Sequence, residues 1–169
     1  MDQNEIASLY RQTSARGSNP VGLVVKLYDA ILEDFRRAGE AIRAEDIERR
    51  TSAFNHALLI IAELESVLDH DRGGSVAQQL RGFYSVTRAM IVEANIQSSL
   101  AKTEKLAELF VPLKQAWQVV EHDVARGKVD LSGMNVSPDS PFASLLTTTR
   151  RLVPELDTDE EGAPSQWKA

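Results

Sequence analysis

Apolar residues recur every three or four positions along four long stretches of this chain, and residues that start or stop helices bound each stretch. The first opens at Asn19-Pro20, with Asn19 as N-cap and proline at the first helical position. Its stripe of Val24, Leu27/Tyr28, Ile31, Phe35, Ala38 and Ile42 predicts a helix over 20–43. The second follows Asp46, a good N-cap, and its stripe of Phe54, Ala57/Leu58, Ile61, Leu64 and Leu68 predicts a helix over 46–68. Ser75-Val76-Ala77-Gln78 fits a capping box, and Leu80, Phe83/Tyr84, Thr87, Ile91 and Ala94 carry a third helix over 75–96. A fourth, over 100–126, presents Leu106, Leu109, Leu113, Ala116/Trp117, Val120 and Val124 and stops at Gly127. Pro112 falls inside it and is expected to kink or divide the helix.

Glycine and proline lie almost entirely between these stretches, and no strand pattern interrupts them. Short connections force neighbouring helices to run in opposite directions. The expectation is therefore an all-α protein: an antiparallel up-down four-helix bundle over 19–127. Residues 1–18 read as a flexible N-terminal arm. Residues 128–169 read as a partly disordered tail carrying a short helix from Ser140-Pro141-Phe142 through Leu145, Leu146 and Leu152. The acidic end, Glu155 to Glu161, is expected to be solvated.

Composition narrows the functional classes. The chain has 169 residues, enough for one domain with a core, and no cysteine, which excludes disulfides, thiolate metal sites and a cysteine nucleophile. Nineteen basic against 25 acidic residues leave a net charge of −6, with no basic stripe to bind nucleic acid. Met1-Asp2-Gln3-Asn4-Glu5 shows neither the charge nor the apolar run of a signal peptide. No stretch approaches the ~20 apolar residues of a membrane span, so a cytoplasmic protein without membrane insertion is expected.

Three kinds of chemistry suit a helical bundle. A ferritin-like di-iron centre needs Glu-x-x-His on two helices, and no glutamate here is followed by histidine at that spacing, so no metal or cofactor is expected. A phosphotransfer domain needs one accessible histidine. His56 is the candidate, but Ala57-Leu58-Leu59-Ile60-Ile61 follows it in place of a lysine and a small residue, which favours a plain polar-face histidine. His70 and His122 near helix ends suit the C-terminal dipole. No nucleophile, base or glycine-rich phosphate loop occurs at a distinctive spacing, so an enzyme is not expected.

Excess apolar surface is the remaining signal. A helix facing a core needs a stripe about 100° wide, yet Leu59, Ile60 and Val67 on the second helix fall outside its stripe. So do Val92 on the third and Phe110, Val111 and Val119 on the fourth. These residues are either a wider core, covered by the arm or tail, or an apolar groove for another chain.

The order of short motifs then matches a known family. Tyr10, Ser18-Asn19-Pro20, Leu27-Tyr28-Asp29-Ala30, Ala38-x-x-Ala41-Ile42, Glu63-Leu64, Leu68-Asp69 and Gly73-Gly74 come first. Val76-Ala77, Leu80, Ala94-Asn95 and Ala116-Trp117 follow. Over about residues 6–126 the chain resembles the flagellar export chaperone family, FliS. Lys26 departs from the pattern, standing where an apolar residue is usual, and so do Pro112 and the long tail. The resemblance implies a chaperone that holds the disordered C-terminal segment of flagellin in apolar grooves, prevents premature polymerisation and delivers it to the flagellar export apparatus, with export gate components as further partners. It also implies that the arm, through Ile6 and Tyr10, covers part of the site in the free protein. Leu27, Tyr28, Asp29 and Asn95 read as structural. A monomer or homodimer fits equally, and the outside alternatives are phosphotransfer at His56 or a bundle adaptor for another client.

Overall fold

The computed structural model describes residues 20–68 and 70–127. Asn19, the arm and the tail lie outside the described residues. Within them the chain forms four helices: α1 (Pro20–Arg43), α2 (Ile47–Ser66), α3 (His70–Gln97) and α4 (Leu100–Ala125). They pack as a bundle in which α1 lies closest to α2 and α4, while α3 meets its two neighbours less closely.

Two corners of one design set the antiparallel order. At the end of α1, Glu45 adopts φ 54°, the Asp46 N–H donates to the Ala41 carbonyl (2.9 Å), and the Glu45 N–H donates to the Ile42 carbonyl (3.2 Å). This pair of bonds closes the helix with a left-handed residue. Asp46 is at once the last residue of that closure and the N-cap of α2, its carboxylate accepting from the Arg49 N–H at 3.0 Å. Ser98 (φ 50°) and Ser99 repeat the arrangement between α3 and α4. One residue thus ends one helix and starts the next, leaving no length for the chain to do anything but reverse.

Both corners fall at the same end of the bundle, where polar side chains join them. Arg50 donates through Nε to Asn95 Oδ1 (3.0 Å) and through Nη1 to Ser98 Oγ. Thr51 also donates to Asn95, and Arg43 pairs with Glu104. Asn95 therefore has the fastening role its sequence position suggested, and Asp29 has one too, pairing with Lys114 across α1 and α4.

The second connection is built differently. α3 is broken at Gly74, whose φ of 49° and ψ of −131° lie where only glycine is comfortable. A Cβ on the preceding Gly73 would sit 2.8 Å from that of Ala77. The sequence predicted a start at Ser75, and the helix beyond the break does run from there to Gln97. α4 passes through Pro112 without being divided.

The core is aromatic at its centre. Phe110 of α4 meets Tyr28 and Phe35 of α1 and Phe83 of α3 at centroid distances of 5.0–5.8 Å, each tilted or edge-on. The Tyr28 and Tyr84 hydroxyls, both fully buried, hydrogen-bond each other at 2.6 Å. Ile60 of α2 lies in the same core, 1% exposed, and Phe110 is 0% exposed. The expectation that these two residues fall outside the core stripe is therefore corrected. A bundle helix touches two neighbours, so its buried arc spans two adjacent stripes: Ala53, Ala57, Ile60 and Leu64 beside Phe54 and Ile61 on α2.

Two predictions follow from these positions. Glu45→Gly relieves a side chain of its left-handed backbone and is expected to stabilise the fold by roughly 0.5–1 kcal/mol, read as a higher urea midpoint at unchanged slope. Phe110→Asp or Ile60→Asp is expected to cost more than the ~3–5 kcal/mol of a large-to-small core change, visible as loss of helical circular dichroism at 25 °C.

Candidate functional site

The weaker approach of α3 to α2 leaves an open trough between them. Its floor is Leu58 of α2 with Ala89, Val92 and Ile96 of α3, and its volume is about 620 Å³. Val92 is 47% and Ile96 78% exposed, so side chains that would ordinarily be buried face solvent here. The rim is polar and already paired. Arg88 bonds Glu65 at 2.8 Å, and Glu93 is held by Lys102 and Gln97, the lysine keeping its carboxyl below the ordinary range. Such a rim neither attracts nor repels charge strongly, whereas the floor offers apolar contact to a partner's side chains.

The sequence-predicted groove residues separate into four groups. Val92 lies in the trough. Val111 (40% exposed) and Val119 (44%) lie exposed on α4, eight residues and roughly 12 Å apart along its axis. Leu59 is half-buried against the core, Val67 is half-buried at the end of α2, and Ile60 and Phe110 are interior. Ile6 and Tyr10 lie outside the described residues. Leu58, which sequence reasoning gave to the core stripe, does pack half-buried against the core and also lines the trough; Ile96 was missed. The signal for Ile96 was present: it stands four residues after Val92, on the same side of the helix.

His56 has a different setting from the solvated helix face expected of it. Its Nδ1 is 2.6 Å from Asp34 Oδ2, a carboxylate of α1 that is itself 2% exposed, and its Nε2 is buried with no hydrogen-bond partner among the described residues. With one ring nitrogen engaged and the other buried, His56 presents no acceptor to a phosphoryl donor. The pair joins α1 to α2. His122 lies in the last turn of α4, 3.8 Å from Asp123, and the side chain of His70 is outside the described residues. Among the described residues no three His, Cys, Asp or Glu side chains are grouped to hold a metal ion, and no helix is long and apolar enough to cross a membrane.

The described residues thus form a four-helix bundle with an open, apolar-lined trough between α2 and α3. Comparison with known proteins identifies which bundle. The family profile described as Flagellar protein FliS matches residues 2–124. The flagellar secretion chaperone FliS of Campylobacter jejuni is 33% identical over 122 residues, which is 72% of this chain and 95% of the relative. FliSB of Pseudomonas aeruginosa, also a flagellar secretion chaperone, is 30% identical over the same shares, and the Bacillus subtilis FliS is 27% identical over 64% of this chain and 80% of its own. The chain belongs to the FliS family.

Burial dominates the titration of Asp34 and raises its pKa above the ordinary 3.8, against the hydrogen bond and charge of His56 and the charge of Arg37; Glu33 adds to the rise. A carboxyl whose folded pKa is raised favours folding most when protonated. That contribution is complete below 3.8 and is lost as pH climbs through the raised value. Asp34→Asn keeps an acceptor for the His56 Nδ1–H and removes the buried charge. It is expected to stabilise the protein at neutral pH by an amount that shrinks toward zero below 3.8, read from urea midpoints across that range. A gain that grew on acidification would refute the assignment.

Proposed function

We propose that this chain is a flagellar secretion chaperone that binds the C-terminal segment of flagellin, keeps it from polymerising in the cytoplasm and presents it to the export apparatus. Family membership supports the chaperone role, and the exposed Val92–Ile96 trough supports the manner of binding. The proposed contact surface is Leu58, Val92 and Ile96 in the trough, continued by Val111 and Val119 on α4. Leu59 and Val67 lend half-buried flanks, and Ile6 and Tyr10 of the arm cover part of this surface when no client is bound.

The physical logic is that of a disordered client on a formed surface. A segment that is unstructured before binding can reach several separated apolar sites at once, but ordering it offsets much of the gain. Each large side chain fully buried contributes about 1.5–3 kcal/mol, and association costs of several kcal/mol oppose the sum. The balance favours a complex that forms yet can be released at the export gate. The net charge of −6 keeps a protein with an exposed trough soluble.

Calorimetric titration with the C-terminal segment of flagellin from the same organism tests this reading. Saturable binding with a negative heat-capacity change is expected. Val92→Asp with Ile96→Asp is expected to weaken binding at least about tenfold, the equivalent of losing ~1.4 kcal/mol, while helicity stays unchanged because both side chains are exposed. Undiminished binding by this folded double variant would remove the trough from the client site.

A further inference from the structure

The trough is about as long as a second apolar pattern in the same chain. From Ala89 to Ile96 its floor spans eight residues of α3, roughly 10 Å. Residues 140–153, Ser-Pro-Phe-Ala-Ser-Leu-Leu-Thr-Thr-Thr-Arg-Arg-Leu-Val, place Phe142, Leu145, Leu146, Thr149 and Val153 at helical spacing. Phe142 to Thr149 again covers eight residues. Ser140-Pro141 is a helix-start signal, and the residue types that follow include no breaker before Pro154. This segment lies beyond residue 124, where the family match stops, so the bundle core does not need it.

We propose that residues 140–153 dock as a short amphipathic helix in the α2–α3 trough, so that the resting protein carries its own occupant there. Reach permits it. α4 ends beside the start of α3, and Val92 lies 17 residues along α3 from Ser75, roughly 25 Å. The link from 128 to 139 spans up to roughly 40 Å when extended, which covers that rise and the width of the bundle. Docking would bury the Phe142, Leu145 and Leu146 side chains against Leu58, Val92 and Ile96. A client using the trough would then have to displace it. The docking itself does not depend on who the client is.

The absence of native cysteine makes the test direct. In the full chain carrying Val92→Cys and Leu146→Cys, mild oxidation is expected to give an intramolecular disulfide in the monomer fraction. Adding Phe142→Asp and Leu145→Asp is expected to abolish it, and methyl resonances of Leu58, Val92 and Ile96 are expected to move between the native chain and the Phe142→Asp/Leu145→Asp chain. These substitutions lie outside the bundle, so circular dichroism of its helices serves as the folding control. Cross-linking of a Val119→Cys/Leu146→Cys control at an equal rate would show an untethered tail and overturn the proposal. Disulfides found only between two molecules would assign the trough to a second copy and overturn it too, as would methyl resonances that do not move. No client is present in any of these experiments, so their failure leaves the client reading standing and a failed client titration leaves this one standing.

Discussion

Phe110 is the point on which the bundle closes. α3 approaches its neighbours less closely than α1 does, and ring contacts with Phe83 on α3 and with Tyr28 and Phe35 on α1 draw two helices onto one side chain of α4. The Tyr28–Tyr84 hydroxyl pair adds a directional bond between α1 and α3 in a place where neither group can reach water. Burial pushes both hydroxyls far above their ordinary pKa, so the pair stays neutral and remains a hydrogen bond across the accessible pH range. A buried hydroxyl without its partner costs about 1–3 kcal/mol, which is why two tyrosines facing each other specify the alignment of their helices as well as their association.

The same arrangement makes the trough. Holding α3 by its aromatic face and by polar ties at one end, through Asn95 and Ser98, leaves the outward-facing Ala89, Val92 and Ile96 without a helix packed over them. An apolar surface left open in this way would be a liability in an inert bundle. In a member of a chaperone family it is the surface proposed above for the client. The rim charges are satisfied within the bundle, so what distinguishes the trough is its apolar lining.

The buried polar groups stand apart from this surface. Asp34 and His56 bind each other between α1 and α2, where a carboxylate is costly and a partner offsets part of that cost. A histidine in such a setting serves the joint between two helices, and its chemistry is not available to a ligand.

The helix count and antiparallel order were legible in the chain because they depend on local signals: three-and-four spacing, Asp46 and Ser75 as starts, Gly127 as a stop, and connections too short to do anything but reverse. The motif order carried the family as well. What periodicity could not decide was which apolar residues outside the main stripe face solvent. Ile60 and Phe110 follow the same local rule as Val92 and Val111, yet the first two are interior and the last two exposed. The difference depends on how closely each helix meets its two neighbours, a property of the assembled bundle that no single helix encodes. Nor does the chain reveal by spacing that His56 meets Asp34, since residues 22 positions apart come together only when α1 and α2 pack. Local sequence thus determined the elements and their order. Tertiary packing alone decided which apolar side chains became core and which became surface, because burial is set by the neighbour across the gap.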